Sequence, residues 1–453
     1  MIRIVLICFA LLNILPAGAQ TYDLLIKGGT VVDPSQSLNA IRDVGIKDGL
    51  VAAVETGIDP ELAGNVYDAT GKIVVPGLVD IHAHLKSSGW PQSVLGIDVD
   101  LTAAARGYTT MVGAGDVGWP DAAVFAASMA GKTTRILGFL NIGWRGMING
   151  WEYATFPPTL APTAVCPAGA ITRSDIEVCE TAGTLASNPA FWAGIKVRLS
   201  YFLVANTGTT VLQMALDAAT KAEAYSGRHF PVMVHIGALE SSTMIDTVVS
   251  MLRAGDIITH SYSEWTHSLT PAVPNSFAQN ASCSNHSAAA AVAKGIIIDI
   301  GASSGPTYGN NAFGPLSYVI CGKIGIAPHS LSADDFGNTG GQSLYSMVDM
   351  ASILLGLNTG DNISPTPPAA FTGPIQTALT FPDLVTKMTR DPALALGDRV
   401  PALLGTLQVG APGDATVLNV ASGSFSYPFG YWTITSPTQI TVIKTIKNGQ
   451  VLQ

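Results

Sequence analysis

The chain has 453 residues, of which 47% are hydrophobic and only 12% are charged, so it can bury a large core and is not globally disordered. Its length suits a large catalytic domain with a smaller satellite. The net charge of −9 and the scattered lysines and arginines argue against a nucleic-acid partner and leave a small molecule as the expected one.

The N-terminal segment 1–19 has the features of a secretory signal peptide. Arg3 gives a positive start, Ile4–Leu15 is apolar, and Ala17–Ala19 forms an A-x-A cleavage signal before Gln20. The apolar stretch is short for a membrane span; a buried first strand or a signal anchor are the alternatives. We expect cleavage near Ala19, a secreted or periplasmic location and no membrane span in the mature protein.

The two ends of the chain share a strand-and-turn pattern. Short alternating segments separated by glycine and aspartate run from Tyr22 to Glu55 and again from Ala415 to Val451. We therefore expect residues 20–75 and 395–453 to form one small β-sandwich domain.

The middle of the chain, residues 76–394, alternates apolar runs rich in β-branched residues with helix-like stretches. This pattern predicts an α/β fold, and eight such units fit a (β/α)8 TIM barrel better than a doubly wound sheet. The predicted strands are Ile73–Leu85, Thr109–Ala114, Ile136–Ile142, Ala193–Leu199, Pro231–Ile236, Asp256–Ser261, Ile296–Ile300 and Ser330–Asp334. The predicted helices include Thr210–Tyr225, Ser241–Arg253, Ser287–Lys294 and Gln342–Leu355.

A long excursion at residues 143–190 interrupts this alternation. It contains two tryptophans and a proline pair, and Ser174–Glu177 resembles a capping box that starts a short helix. Loops of this length are usually functional or tied down. We interpret it as a lid or pocket wall, with a purely structural excursion as the alternative.

Four cysteines remain after signal cleavage, and none has the spacing of a zinc site: Cys166, Cys179, Cys283 and Cys321. An even number in an oxidising compartment permits two disulfides. Cys166–Cys179 is the more plausible bridge because it closes a short loop; four unpaired thiols are the alternative.

The segment Pro76–His84, PGLVDIHAH, carries the sharpest chemical signal. Residues two apart on a strand point to the same face, so His82 and His84 aim together into the barrel near the C-terminal end of the first strand. Barrel enzymes place their active sites at that end. Two adjacent imidazoles there predict a metal-ligand pair.

Other strand ends carry further candidate ligands: Lys196, His235, His260 and Asp334 on the fourth, fifth, sixth and eighth strands. Each alone is typical of a structural residue. Burying these side chains without partners would cost roughly several kcal/mol of free energy for each one. Bound metal ions remove that cost.

These residues, in this order, resemble the metal-dependent amidohydrolase superfamily. Within it the chain is most similar to the dihydroorotase-related amidohydrolase/deacetylase branch. The resemblance covers nearly the whole mature chain, and the segments that carry it are Tyr22–Gly29, Phe139–Ile142, Gly194–Arg198, Val234–Ile236, Ile298–Gly301 and Gly405–Asp414.

The resemblance implies two divalent metal ions, most simply Zn²⁺. His82, His84 and Asp334 would bind one ion, and His235 and His260 the other. Lys196 would be carboxylated by CO₂ and bridge both ions. The alternative is an unmodified lysine with a single ion.

The resemblance further implies hydrolysis by a metal-bridging hydroxide, with Asp334 as the catalytic group that transfers the proton. An acyclic amide such as an N-acyl amino acid or a dipeptide, or an ester, is the expected substrate. The alternatives are a cyclic amide, as for a dihydroorotase or hydantoinase, and a non-catalytic scaffold; the signal peptide argues against a pyrimidine pathway step. We also expect a homo-oligomer.

The substrate side departs from the family pattern. His235 is followed by Ile-Gly-Ala rather than by a second histidine, and no histidine follows Asp299-Ile-Gly301. Arg198 shares the face of Lys196 on an unbulged strand and is a candidate for binding a substrate carboxylate, with a buried ion pair as the alternative. Asn141 and Tyr262 are weaker candidates for substrate contact.

Overall fold

The structure is a computed structural model. It describes residues 20–85, 96–147, 173–204, 207–236, 239, 244–263, 287–302, 313–323, 325–338, 341–342, 344–367, 369, 372–429 and 432–452. The predicted signal segment 1–19, residues 148–172 of the predicted excursion, Cys166 and Cys283 lie outside this set.

The strands and α-helices follow in chain order. The strands are β1 (Tyr22–Asp33), β2 (Leu38–Lys47), β3 (Leu50–Glu55), β4 (Ala63–Asp68), β5 (Ile73–Pro76), β6 (Leu78–Ala83), β7 (Tyr108–Ala114), β8 (Arg135–Asn141), β9 (Trp192–Arg198), β10 (Val232–His235), β11 (Ile257–Thr259), β12 (Ile297–Ile298), β13 (Gly337–Asn338), β14 (Gly341–Gln342), β15 (Ile363–Ser364), β16 (Ala415–Phe429), β17 (Trp432–Lys447) and β18 (Gln450–Val451). The helices are α1 (Val99–Arg106), α2 (Ala122–Met129), α3 (Arg173–Ser187), α4 (Tyr201–Val204), α5 (Gly208–Ser226), α6 (Met244–Met251), α7 (Ser287–Ala293), α8 (Pro315–Lys323), α9 (Met347–Leu357), α10 (Phe381–Met388) and α11 (Arg390–Leu396).

A curled sheet of seven parallel strands, β6 to β12 in sequence order, forms the barrel wall. The predicted eighth strand forms no ladder of its own, but it bridges both edges of this sheet through the pairs Asp299–Ser330 and Ala83–Asp335. The ring is thereby closed, and the predicted (β/α)8 barrel is confirmed. The segment Ser330–Asp335 is named the closing segment below.

The barrel has apolar residues on both sides of its wall. Every residue of β6 and β7 is buried, as expected for parallel strands that are covered on both faces. A cluster that includes Ile81, Phe139 and Met233 gathers side chains from six neighbouring strands on the inner face, and Ala393 and Leu396 of α11 pack against it. The inner face is therefore a filled apolar core over the described strands.

Both chain ends contribute to a second, mixed sheet of nine strands, here called the terminal sheet. Its order is β15-β17-β16-β5-β1-β2-β3, with β4 beside β1 and β18 beside β17. It has its own apolar cluster, which includes Val31, Val44 and Val417. The prediction that the two ends form one β structure is confirmed.

The prediction of one continuous strand over Ile73–Leu85 was wrong, because the segment forms two separate strands, β5 and β6. β5 pairs with β1 and β16 of the terminal sheet, whereas β6 pairs with β7 of the barrel. They separate at Gly77, where an added Cβ would lie 2.2 Å from Oγ1 of Thr109. Only glycine lets the chain pass this close to the neighbouring strand.

Helix starts follow capping chemistry rather than the apolar pattern alone. α9 begins at Met347 and not at Gln342, because Ser346 and Asp349 form a reciprocal capping box. α3 runs over Arg173–Ser187 and is longer than the short helix predicted there.

Cys179 in α3 and Cys321 in α8 are both disulfide-bonded, so neither is a free thiol. The pairing Cys166–Cys179 stays a prediction because Cys166 lies outside the described residues. None of the helices in the described ranges is long and apolar enough to cross a membrane.

A buried ionic cluster joins the terminal sheet to the base of the barrel. Lys447 at the end of β17 donates to both carboxylate oxygens of Asp414, at 3.0 and 2.8 Å, and Arg135 of β8 donates to the same carboxylate at 3.1 Å. Removing one partner of a buried pair leaves an uncompensated charge. Asp414 is therefore a structural anchor between the two sheets.

We expect Asp414→Ala to lower the free energy of unfolding by about 3–5 kcal/mol, because it leaves the charge of Lys447 buried without its carboxylate partner. The measurement is urea unfolding followed by circular dichroism. Asp23→Ala is the matched control: it breaks the ion pair with Lys47 in the same sheet, but that pair is exposed and its loss should change stability little. Equal effects of the two variants would contradict the anchoring role.

Candidate metal centre

The C-terminal ends of the barrel strands bring together the histidines predicted from the sequence. The pairing of β6 with β7 shifts register between Asp80 and Ala83, so this strand carries an irregularity. Ile81 packs in the inner cluster, and the next residue, His82, also points inward, toward Thr259 of β11. Such bulges re-aim side chains next to active sites.

Asp334 is the carboxylate around which the imidazoles gather. Its Oδ1 lies 3.2 Å from Nε2 of His82 and 3.0 Å from Nε2 of His84, and its Oδ2 lies 3.9 Å from Nε2 of His260. The ligand atoms of His82, His260 and Asp334 all lie within 4.8 Å of one another, which is a spacing suited to a metal ion.

Lys196 and His235 complete the group. Nζ of Lys196 lies 3.0 Å from Nε2 of His82 and 3.5 Å from the sulfur of Met233. The ring of His235 lies 4.4 Å, centroid to centroid, from that of His260. The structure thus brings all six predicted metal ligands into one cluster, named the ligand cluster below; their individual roles stay predictions.

Two members of the ligand cluster have left-handed backbone conformations. His260 has a φ of 61° and Asp334 has a φ of 48°. Non-glycine residues seldom adopt this region, and such strain concentrates at functional sites. The surrounding contacts hold both residues in conformations that turn their side chains into the cluster.

Burial keeps most of the imidazoles neutral. It lowers the pKa of His82 and His235 well below the ordinary range and that of His260 to about 4, and the nearby Lys196 charge acts in the same direction. A neutral imidazole is the form that binds metal. Three buried neutral imidazoles beside a carboxylate are therefore a donor set that fits a divalent ion such as Zn²⁺.

His84 differs because it lies between two carboxylates. Burial alone would lower its pKa, but hydrogen bonds with Asp116, 2.9 Å from Nδ1, and with Asp334 raise its pKa to about 9. Asp116 also accepts a hydrogen bond from the backbone of Leu85 at 3.2 Å. Asp116 therefore orients His84 and leaves its Nε2 directed at Asp334.

Asp116 was missed by the sequence analysis, although it follows the end of β7 by two residues and a search of every strand end would find it. Ser200, whose hydroxyl lies 3.1 Å from Nε2 of His235, was also missed. No local pattern marks this serine, because its partner lies on another strand.

Two of the three predicted substrate contacts face structural partners. The amide of Asn141 donates to the carbonyl of Gly115 at 3.1 Å and accepts from the backbone of Gly143 at 2.9 Å. Tyr262 is buried, and its hydroxyl donates to the carbonyl of Ile326 at 3.5 Å. Asn141 thus holds loops in place, and Tyr262 packs in the core.

Arg198, by contrast, lies at the partly exposed end of β9, paired in register with His235 of β10. Its charge contributes to the low pKa of both His235 and His260, so it lies within electrostatic range of the ligand cluster. Its role in substrate binding stays a prediction.

Comparisons with known proteins find relatives along nearly the whole chain. No protein-family model matches the chain. A deacetylase from Enterococcus faecalis is 23% identical over 436 residues, covering 95% of this chain and 99% of that protein. A dihydroorotase from Trichlorobacter lovleyi is 40% identical over 89 residues, covering 20% of this chain and 21% of that protein.

Solved structures share the whole fold. A dihydroorotase superposes with a TM-score of 0.71 at 21% identity, covering 94% of this chain and 98% of that one. An adenine deaminase superposes with a TM-score of 0.66 at 20% identity, covering 95% and 99%. Sequence similarity along nearly the entire length, together with this shared barrel, supports the predicted resemblance to the amidohydrolase superfamily.

Proposed function

We propose that the protein is a metal-dependent hydrolase that cleaves an amide bond. The observation that carries this proposal is the convergence of three imidazoles on the buried carboxylate of Asp334 at the C-terminal end of the barrel. The deacetylase relative and the dihydroorotases both have names that denote hydrolysis of carbon–nitrogen bonds.

The ligand cluster divides between two divalent ions, which we propose to be Zn²⁺. His82, His84 and Asp334 would hold one ion, and His235 and His260 the other. Bound ions of this kind lower the pKa of water and polarise a substrate carbonyl. We further propose that Lys196 is carboxylated, because burial disfavours an ammonium and a carbamate would supply anionic ligands beside His82.

Asp334 is the group placed to move the proton. Burial would raise its pKa, but the electrostatic interaction with the imidazole of His82 and the hydrogen bond from His84 hold the pKa of this carboxyl well below its ordinary range. Asp334 therefore starts as a carboxylate that can accept a proton from the attacking water. It can then deliver that proton to the leaving nitrogen.

Arg198 favours an acyclic substrate that carries a carboxylate, such as an N-acyl amino acid or a dipeptide. Arg198 is the partly exposed last residue of β9 and pairs in register with His235 of the neighbouring strand. Guanidinium groups match carboxylates bidentately. A cyclic amide is the second candidate, favoured by the 40% identity of one segment to a dihydroorotase.

We also propose that the protein is exported and that the signal segment is cleaved near Ala19. The arrangement of Arg3, the apolar run Ile4–Leu15 and Ala17–Ala19 supports this, as do the disulfide-bonded Cys179 and Cys321. A homo-oligomer is proposed as its solution state, to be checked by light scattering.

We expect His82→Ala and Asp334→Asn to abolish amide hydrolysis, because each removes a ligand from the centre of the cluster. Activity would be measured with N-acyl amino acids, dipeptides, cyclic amides and aryl esters. A chelator should remove the wild-type activity and Zn²⁺ should restore it, with two ions per chain by elemental analysis. His229→Ala, at a half-exposed histidine paired with Glu223, is the matched control and should retain activity. Metal-free protein that keeps full activity would overturn the proposal.

We expect Arg198→Met to raise KM for N-acyl amino acids about tenfold or more while leaving the hydrolysis of neutral aryl esters nearly unchanged, because only the former carry a carboxylate. Steady-state kinetics on paired substrates checks this. Equal losses on both substrate types would show that Arg198 holds the site together rather than recognising the carboxylate.

We expect the exported protein to begin at Gln20, because the A-x-A signal ends at Ala19. Expression in a Gram-negative host, cell fractionation and intact-mass measurement of the periplasmic protein check this. Recovery of the full chain from the cytoplasm alone would contradict export, and Ala17→Arg should block cleavage if the signal is correctly located.

A further inference from the structure

A series of buried hydroxyl groups connects His82 to Asp299, one residue beyond the end of β12. Nδ1 of His82 lies 2.8 Å from the hydroxyl of Thr259, and that hydroxyl donates to Oδ2 of Asp299 at 2.7 Å. Ser330 and Ser332 of the closing segment donate to the same carboxylate at 2.6 and 2.7 Å. Thr259 and Asp299 are 0% exposed, and both serines are 1% exposed, so water does not compete for these bonds.

The number of available protons fixes the direction of this network. A threonine hydroxyl has one proton, and Thr259 donates it to Asp299. Its oxygen can therefore only accept from Nδ1 of His82, which must carry a proton. Nε2 of His82 is then left with a lone pair, 3.0 Å from Nζ of Lys196.

The same carboxylate reaches a second imidazole through Ser332. The backbone N–H of Gly301 donates to the Ser332 hydroxyl oxygen at 3.1 Å. The single hydroxyl proton of Ser332 is donated to Asp299. The carbonyl of Gly301 lies 2.7 Å from Nδ1 of His260 and, being an acceptor only, requires a proton there. Nε2 of His260 is thereby left with a lone pair on the side of Asp334.

We propose that Asp299 is a positioning residue that sets the Nδ1–H tautomer of His82 through Thr259 and orients His260 through Ser332 and Gly301. Asp299 touches neither imidazole directly; its nearest oxygen lies 4.0 Å from Nδ1 of His82. The consequence for metal binding rests on the proposed function, since Nε2 of each histidine is the atom that would meet an ion. The tautomer itself is a property of the metal-free chain.

The size of the effect follows from how histidine ligands are usually held. A ligating histidine donates its second N–H to an acceptor, and loss of that acceptor typically costs about 10–100-fold in metal affinity. Here the direct acceptor of His82 is the neutral hydroxyl of Thr259. The proton of that hydroxyl is donated to the carboxylate of Asp299. Removing the hydroxyl alone should therefore release the tautomer without changing a charge.

The test compares Thr259→Val with Thr259→Ser and Ser330→Ala. Valine keeps the shape of threonine but removes the hydroxyl, and serine restores it. Ser330→Ala is the matched control, because it also removes one donor from Asp299 but leaves the hydroxyl between Asp299 and His82 in place. Each purified variant would be examined metal-free by long-range ¹H–¹⁵N NMR of ¹⁵N-histidine, with His82→Asn used for assignment, and by Zn²⁺ competition against a chromophoric chelator.

We expect His82 to be protonated at Nδ1 in the wild type, in Thr259→Ser and in Ser330→Ala. Thr259→Val should lose this single tautomer and about 10–100-fold in Zn²⁺ affinity. A wild-type His82 protonated at Nε2, or equal losses of affinity in Thr259→Val and Ser330→Ala, would overturn the proposal. Should Thr259→Val not fold, the wild-type tautomer and the affinity of Thr259→Ser still decide it.

The two proposals fail in distinguishable ways. If no amide is hydrolysed but the tautomer and the variant affinities agree with expectation, the network stands and only the proposed reaction is wrong. If the wild type hydrolyses amides but His82 carries its proton on Nε2, the reaction stands and the role given to Asp299 is wrong.

Discussion

The structure depends on one constraint, which is that the buried carboxylate of Asp334 must meet several imidazoles at the mouth of an otherwise apolar barrel. Two imidazole nitrogens lie within 3.2 Å of its Oδ1, and a third lies 3.9 Å from Oδ2. Burial penalises each of these groups alone, so they are stable only together. The irregularity in β6 and the left-handed backbone of His260 and Asp334 are the local distortions that this meeting requires.

The same segment closes the barrel and supplies a carboxylate to the ligand cluster. The closing segment bridges the two edges of the sheet, at Ser330 and Asp335, and carries Asp334 between those bridges. The backbone carbonyl of Asp335 accepts from His84 at 2.7 Å, and its side chain pairs with Arg106 of α1. A chain in which this segment had not docked would have neither a closed ring nor the carboxylate.

The sequence revealed the barrel and the ligand cluster because both follow local rules: apolar runs at regular spacing, and polar groups where a run ends. It did not reveal the break at Gly77, since the apolar run is continuous there and the cause is a close approach to Thr109 on another strand. It also did not reveal the hydrogen bonds of Asn141 and Tyr262 to distant backbone carbonyls, because no local pattern encodes such partners. Thr259 escaped notice for the same reason.

The low charge of the chain and the protonation of its histidines are connected. A centre that binds cations needs neutral imidazoles, and burial supplies them at His82, His235 and His260 without any added charge. His84 is the exception: Asp116 and Asp334 raise its pKa to about 9, so it holds a proton at neutral pH. An ion bound at its Nε2 must displace that proton. Three of the four imidazoles are therefore neutral as folded, and in the proposed centre the fourth would couple metal binding to proton release beside Asp334.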